Sequence, residues 1–207
     1  MARDFFGMFW GWLNKSSPAA RQGISRSELL AQLDGKTVAI VGNSRGLSQG
    51  DMGAKIDECD LVIRLNDAPM PAVKSHGVKT NWLAVAKSVS RANLNNKNPD
   101  VLLWMPTSRK RLSRTMRNWR NFYLNPVEPN IKLRSRLAAP PSVGIMVIDL
   151  LVDSGATKIE IFGFDFFATR SLSGKRTKHQ VPHDFDAEKG LVLGLVRSDN
   201  RISINST

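Results

Sequence analysis

Two histidines near the carboxyl terminus are the residues best suited to moving a proton. The chain has three histidines among its 207 residues, and His179 and His183 are only four positions apart. Because an imidazole takes up a proton near neutral pH, His183 is the strongest candidate for a general base. A metal site is the alternative, but it needs a third ligand in fixed geometry, which this spacing does not supply. The pattern therefore indicates proton abstraction at His183.

Polar residues also follow two apolar runs that have the composition of buried strands. Gly42, Asn43 and Ser44 come directly after residues 37–41, and Asn66 comes directly after residues 61–65. A glycine turn at the carboxyl end of a strand lets a ligand approach the backbone closely, and the polar side chains offer donors and acceptors. The dinucleotide-binding motif G-x-G-x-x-G is absent, and so is the Gly-Lys-Ser/Thr ending of a P-loop. This argues against NAD or a nucleoside triphosphate as the ligand. Plain turns remain the alternative at both positions.

A third candidate is the start of a helix after two prolines. Ser142 follows Pro140 and Pro141 and is a plausible N-cap for a helix over 142–153. The free N–H groups and positive dipole end of such a helix suit a phosphate or a carboxylate. A simple N-cap without a ligand is the alternative.

The elements that must position these residues alternate along the chain. Ser25 and Glu28 suggest a capping box for a helix over 26–33. Alternating strands and helices predict one Rossmann-like domain, with a mostly parallel sheet flanked by helices, over residues 25–207. The remaining predicted elements are strands at 37–41, 61–65, 82–85, 101–105 and 159–164, a short helix before 59, and helices over 108–121 and 142–153.

The charge balance implies an anionic partner without naming it. There are 30 Lys and Arg against 18 Asp and Glu, which gives a net charge of +12. Residues 101–127 contain no acid, and Arg111, Arg114 and Arg117 would share one face of the predicted helix. That face is either an ordinary solvated surface or a basic stripe that meets phosphates. Nucleic acid, an anionic membrane surface and an acidic small molecule all satisfy the charge.

Residues 1–24 form a separate amphipathic aromatic segment. Its apolar part, residues 5–13, is interrupted by glycine and is shorter than the roughly 20 residues of a spanning helix. Two interpretations stay open: a helix lying in a bilayer interface, or a helix that packs on the domain or on a second subunit. The single cysteine, Cys59, excludes an internal disulfide and favours a reducing compartment. We expect a cytoplasmic protein, peripheral on the inner face of the membrane if residues 5–13 bind lipid.

Three segments resemble the sequence motifs of glycosyltransferase family 29, the sialyltransferases. Residues 38–69 read VAIVGNSRGLSQGDMGAKIDECDLVIRLNDAP and resemble the large sialylmotif. Pro141-Ser142-Val143-Gly144 and Phe162-Gly163-Phe164 resemble the small motif, and His183 with Glu188 reproduces the H-x-x-x-x-E of the very small motif. The matches keep the order that the motifs have in the family.

The resemblance implies an inverting, metal-independent transferase of a variant GT-A-like fold, with a cytidine monophosphate (CMP) sugar as its donor and no cofactor. His183 would deprotonate the acceptor hydroxyl. Glu188, His179 and Arg64 would be supporting residues. The residues implied for the donor nucleotide are Asn43, Ser44, Asn66, Ser142, Val143, Gly144 and Gly163.

The sequence also departs from the family pattern. Cys59 has no partner for the disulfide that joins the large and small motifs of animal members, so the chain resembles a bacterial relative. The motif whose His contacts the donor phosphate is not recognisable between 167 and 182, where His179, Lys175, Arg176 and Lys178 are the candidate substitutes. Val143 replaces a threonine of the small motif. Sialic acid and Kdo therefore both stay open as donor sugars, and the expected acceptor is a bacterial surface glycan or glycolipid.

A binding module without transferase activity is the alternative function. In that interpretation a Rossmann-like domain uses the cations of residues 109–120 for nucleic acid, and the motifs are structural turns. The resemblance favours the transferase, for which no nucleic-acid partner is expected.

Overall fold

In the part of the chain that the structure describes, one sheet of seven parallel strands forms the frame. The computed structural model describes residues 23–166, 172 and 182–205. The strands are β1 (Thr37–Val41), β2 (Leu61–Leu65), β3 (Trp82–Val85), β4 (Val101–Trp104), β5 (Phe122–Leu124), β6 (Lys158–Phe162) and β7 (Ile202–Asn205). Their order in the sheet is β5-β4-β3-β2-β1-β6-β7, and every neighbouring pair is parallel. The predicted Rossmann-like architecture with a mostly parallel sheet is confirmed.

Helices cover both faces of this sheet. The helices are α1 (Arg26–Ala31), α2 (Gly53–Glu58), α3 (Val73–His76), α4 (Arg91–Lys97), α5 (Arg114–Arg117), α6 (Val127–Leu137), α7 (Val143–Val152) and α8 (Phe185–Ser198). Alternate residues of one strand enter different cores: Val38 and Ile40 pack with α1, α6, α7 and α8, whereas Ala39 and Val41 pack with α2. Because both faces of a parallel sheet are buried, the strands read as continuous apolar runs.

The chain changes direction across the sheet between β1 and β6. From β1 the chain continues to β2 and on towards β5 at one edge of the sheet. It then returns to β6, on the other side of β1, and continues from there to β7 at the opposite edge. In open parallel sheets this arrangement leaves a crevice outside the carboxyl ends of the strands, and ligands bind there.

Most of the predicted elements are confirmed, some with shifted ends. The helix predicted over 26–33 is α1, and its capping box is present: Ser25 Oγ accepts from the Glu28 backbone N–H, and the Ser25 N–H donates to Glu28 Oε2. β4 ends one residue earlier than predicted, and β6 spans 158–162 instead of 159–164. The helix predicted at 142–153 is α7, with Ser142 as its N-cap.

The prediction of one long helix over 108–121 is wrong. Only α5, a single turn capped by Ser113, is helical in that range. Tertiary contacts hold the rest of the segment in an irregular path: the Trp104 indole N–H donates to the Ser108 carbonyl at 3.1 Å, and the Trp119 indole N–H donates to the Pro99 carbonyl at 3.0 Å. Arg111 lies outside the helix, so the predicted face of Arg111, Arg114 and Arg117 does not exist.

The aromatic segment at residues 5–13 lies outside the described part of the chain, and its membrane role stays a prediction. Within the described ranges, no helix combines the length and apolar character needed to cross a bilayer.

Candidate functional site

A cavity of about 670 Å³ lies at the carboxyl edge of the sheet. It is formed by the segments that follow β1, β2, β3, β4 and β6, together with the start of α7 and the residues before α8. Most of the candidate residues from the sequence line it: Asn43, Ser44, Asn66, Ser142, Val143, Gly144, Gly163, His183 and Glu188. Positions spread over 146 residues of sequence are thus brought to one site, although their individual roles remain predictions.

Close backbone packing forms the wall of the cavity between β1 and β6. The Gly42 N–H donates to the Phe162 carbonyl at 2.8 Å, and the Ser44 N–H donates to the Gly163 carbonyl at 3.1 Å. A Cβ on Gly42 would lie 2.3 Å from the Gly163 oxygen. Gly163 itself has φ of +64°, in the left-handed region that favours glycine. The two glycines are therefore required by the packing of the wall.

Phe164, named above only as part of a motif and without a role in the site, is an aromatic wall residue of the cavity. A Cβ on Gly144 would lie 2.6 Å from its ring, and a Cβ on Gly42 would lie 2.9 Å from it. The ring therefore lies against both the first turn of α7 and the turn after β1. Its position in the Phe162-Gly163-Phe164 triplet, directly after a strand-ending glycine, was the only sequence signal.

Two asparagines fix the neighbouring strand ends. Asn43 Nδ2 donates to the Leu65 carbonyl at 3.0 Å, which ties the end of β1 to the end of β2. Asn66 has φ of +54°, and its Oδ1 accepts from the Ala86 N–H at 3.1 Å. Asn66 Nδ2 has no hydrogen-bond partner in the described ranges, so it can donate to a ligand in the cavity.

A buried carboxylate holds the start of α7. Glu188 is 3% exposed and accepts from the Ser142 N–H at 2.6 Å and from the Ser142 hydroxyl at 2.7 Å. Burial raises the pKa of Glu188, while the two hydrogen bonds from Ser142 and the charge of His183 oppose that rise. Ser142 Oγ also accepts from the Ile145 N–H at 3.4 Å. The only donor of this hydroxyl is therefore already used by Glu188.

The next N–H groups of α7 are the ones available to an anion. In an α-helix the first N–H groups have no intrahelical partner. Those of Val143 and Gly144 have no other partner in the described ranges either, and both residues line the cavity. Together with the helix dipole, these donors make an anion-binding position that needs no side-chain charge.

The ring of His183 is oriented by a backbone carbonyl. His183 Nδ1 lies 2.8 Å from the Pro140 oxygen. Since a carbonyl only accepts, Nδ1 carries the hydrogen, and in the neutral ring Nε2 holds a lone pair. The ring also packs edge-on against Phe185, with centroids 5.6 Å apart. A fixed tautomer with Nε2 as its acceptor is the arrangement that a general base requires.

Arg64 is the candidate that the structure places away from the cavity. Its side chain is 1% exposed and donates to the Lys79 and His76 carbonyls, each at 2.7 Å. Burial lowers the pKa of Arg64 to about 10. It supports the segment between α3 and β3, so any effect on a ligand must be transmitted through the backbone.

His179 lies outside the described part of the chain, as do Lys175, Arg176 and Lys178. In residues 23–166 and 182–205, no group of three or more His, Cys, Asp and Glu side chains is placed to hold a metal ion.

Comparison with known proteins finds similarity to one family over less than half of the chain. The model of glycosyltransferase family 29 (sialyltransferase) matches residues 18–109. No curated protein matches the chain.

Solved structures share the fold. A mammalian sialyltransferase has a TM-score of 0.59 at 20% identity, over 90% of this chain and 80% of its own. The sialyltransferase CstII from Campylobacter jejuni, solved with cytidine-5'-monophosphate, has a TM-score of 0.57 at 14% identity, over 83% of this chain and 79% of its own. A mammalian sialyltransferase in complex with Gal-beta-1-3GalNAc-ortho-nitrophenol has a TM-score of 0.57 at 20% identity, over 90% of this chain and 81% of its own.

Because these structures are at most 20% identical to this chain, they establish its fold. The segment that the family model matches, residues 18–109, contains the cavity residues Gly42, Asn43, Ser44 and Asn66. The chain is thus similar to the glycosyltransferases of family 29, the sialyltransferases, in sequence over residues 18–109, and it shares the fold of solved sialyltransferases.

Proposed function

We propose that the protein transfers a 2-keto acid sugar, sialic acid or Kdo, from its CMP-activated form to a hydroxyl of a glycan, with inversion at the anomeric carbon. The observation that carries this proposal is the placement, in one cavity, of an oriented imidazole at His183 and unpartnered helix N–H groups at Val143 and Gly144. Such a displacement needs a group that accepts the proton of the acceptor hydroxyl and a site that stabilises the negative charge of the leaving phosphate.

The nucleotide occupies the part of the cavity next to β1, β2 and β6. Asn66 Nδ2 is an available donor there, and Asn43 and Ser44 lie in the adjacent turn. The N–H groups of Val143 and Gly144 bind the phosphate. The complex of CstII with cytidine-5'-monophosphate supports a cytidine nucleotide as the ligand of this fold.

The reaction is a single displacement. The acceptor hydroxyl loses its proton to His183 Nε2 as its oxygen forms a bond to the anomeric carbon of the donor. The bond from that carbon to the phosphate oxygen breaks, and CMP leaves with the electron pair. The α7 N–H groups stabilise the charge that develops on the leaving phosphate, while the hydrogen bond from Nδ1 to Pro140 stabilises the imidazolium.

Glu188 has a positioning role in this scheme. It accepts both Ser142 hydrogen bonds and thereby fixes the residue from which the anion-binding turn starts. No metal ion has a role in the proposal.

The acceptor is proposed to be a bacterial surface glycan or glycolipid. The net charge of +12 and the aromatic residues at 5–13 support a location at an anionic membrane surface, where lipid-linked acceptors are found. Binding to vesicles that contain anionic lipid, compared between the full chain and a variant with alanine at Trp10 and Trp12, tests the membrane contact. Equal binding of the two proteins would remove residues 5–13 from that role.

Nucleotide selectivity tests the donor class without knowledge of the acceptor. Thermal unfolding is followed in the presence of CMP, UMP, NAD and ATP. Since a ligand at 100 times its dissociation constant stabilises the native state by about 2.7 kcal/mol, CMP should raise the melting temperature measurably and more than the others do. No shift with CMP, or a larger shift with NAD or ATP, would contradict the proposal. Incubation with CMP-sialic acid and with CMP-Kdo then identifies the sugar by release of CMP.

A further inference from the structure

Two cationic side chains line the cavity, and one of them, Arg111, follows the cavity-lining strand that lies farthest from β1 and β6. Lys87 follows β3, and Arg111 belongs to the loop after β4. They are the only Lys or Arg residues among the described residues that line the cavity. β4 lies three positions from β1 in the sheet, which is roughly 14 Å at the usual spacing of strands. Lys87 lies beside Asn66, whereas Arg111 lies on the side of the cavity away from β1 and β6.

The two cations are not equivalent. Lys87 Nζ forms an ion pair with Asp67 Oδ2, so much of its charge is already balanced. Arg111 has an exposed side chain, with no hydrogen-bond or ion-pair partner for its guanidinium in the described ranges. Residues 101–127 also contain no acid that could balance it locally. The charge of Arg111 is thus available to a ligand.

The loop that carries Arg111 is fixed by contacts on both sides of it. The Trp104 indole N–H donates to the Ser108 carbonyl at 3.1 Å, and the Ser88 hydroxyl donates to the carbonyl of Arg111 itself. Leu112 packs against the core that contains Met116 and Leu94. These contacts hold the backbone of Arg111 at the cavity, and they explain why the segment is a loop and not the predicted helix.

We propose that Arg111 binds an anionic group, a carboxylate or a phosphate, on the acceptor and so selects acidic acceptors, an assignment that rests on the proposed transferase function. The donor already has anion-binding groups at the start of α7, whereas the β3 and β4 side of the cavity is left for the second substrate. A guanidinium binds either anion through two parallel hydrogen bonds. A specific cation at this place selects among acceptors, which the general surface charge of the protein does not do.

The test uses two pairs of sugars that differ in charge: lactose with 3'-sialyllactose, and galactose with galactose 6-phosphate. Dissociation constants are measured by ligand-observed NMR, with and without saturating CMP. We expect the wild type to bind the anionic member of at least one pair about tenfold more tightly, the usual scale of one charge-assisted hydrogen bond. The two pairs distinguish a carboxylate from a phosphate as the group recognised.

Three variants distinguish a specific effect of Arg111 on sugar binding from the effect of the overall positive charge of the surface. Arg111→Ala should abolish the preference, and Arg111→Lys should keep part of it because the charge remains. Arg109→Ala is the matched control, since Arg109 is an exposed cation two positions away that does not line the cavity, and it should keep the full preference. Equal affinities within both pairs in the wild type, or a preference that survives Arg111→Ala, would overturn the proposal.

The affinity for CMP separates this inference from the proposed function. Arg111→Ala should leave CMP binding unchanged, and a loss of CMP affinity would place Arg111 at the donor and overturn its assignment to the acceptor. If the wild type does not bind CMP, the transferase proposal fails. The charge preference measured without CMP would still decide whether Arg111 binds anionic sugars.

Discussion

Glu188 and Ser142, which are 46 residues apart in sequence, are joined by two short hydrogen bonds. Glu188 accepts from both the backbone N–H and the hydroxyl of Ser142, and it thereby connects the first turn of α8 to the first turn of α7. Because His183 lies just before α8 and the anion-binding N–H groups lie at the start of α7, this contact sets the position of the base relative to the proposed phosphate.

Removing the carboxylate of Glu188 should destabilise the protein and weaken nucleotide binding. Glu188→Ala leaves the half-buried N–H and hydroxyl of Ser142 without their carboxylate partner, which costs about 2 kcal/mol in the free energy of unfolding. Glu188→Gln keeps one acceptor and should cost less. Urea unfolding and CMP titration measure both effects. Glu128→Ala, which removes an exposed glutamate at the start of α6, is the control and should change neither. A Glu188→Ala protein as stable as this control would show that the contact is dispensable.

Glu188 should also give stability a particular dependence on pH. Its pKa is raised in the folded state, so folding favours the protonated form. This contribution is fully present below the unfolded pKa, near 4.5, and is lost as the pH rises through the raised folded value. The unfolding free energy of the wild type relative to Glu188→Gln should therefore fall as the pH rises above 4.5. A difference that is constant or rises over this range would contradict the raised pKa.

Packing of Phe164 should make Gly144 intolerant of a side chain. Gly144→Ala places a Cβ 2.6 Å from the ring, and relief of this overlap should cost about 1–3 kcal/mol in stability. Gly190→Ala is the control, because a Cβ at that helix position meets nothing within 4 Å, and it should be neutral or stabilising. The smaller side chain of Phe164→Leu should recover part of the loss when combined with Gly144→Ala. Equal stability of the two glycine variants would exclude the predicted overlap.

The buried cation at Arg64 should matter for folding more than for ligand binding. Arg64→Ala leaves the His76 and Lys79 carbonyls without their donors, and the unfolding free energy should fall by about 3 kcal/mol or more. The folded fraction should still bind CMP with the affinity of the wild type, because Arg64 does not line the cavity. CMP titration at low temperature checks this expectation. A folded variant that has lost CMP binding would give Arg64 a place in the site.

The sequence was informative wherever local composition determines structure. Buried parallel strands are continuous apolar runs, so β1, β2 and β3 were predicted at their observed bounds. The side chains that follow those strands then had to meet at the carboxyl edge of the sheet. β5 has only three residues and β7 is a half-buried edge strand, so neither has a strong local pattern, and neither was predicted.

Features that depend on tertiary contacts could not be predicted. The apparent helix over 108–121 gives way to a loop because Trp104 and Ser88 bind its backbone carbonyls. The partner of His183 is the carbonyl of Pro140, a group that every residue has and that leaves no signal in the side-chain pattern. For the same reason Arg111 was predicted as part of a helical stripe, and its position at the cavity became visible only in the structure.

The most direct test of the central claim compares turnover with donor binding in wild type and His183→Ala. Release of CMP from CMP-sialic acid and from CMP-Kdo is measured with a mixed pool of acceptors, and CMP affinity is measured on the same preparations. General-base assistance is worth on the order of 10² to 10⁴ in rate, so we expect a loss of that size in His183→Ala with CMP affinity nearly unchanged. Turnover of one donor by the wild type and its loss in the variant would support the account. Near-normal turnover by His183→Ala would contradict it.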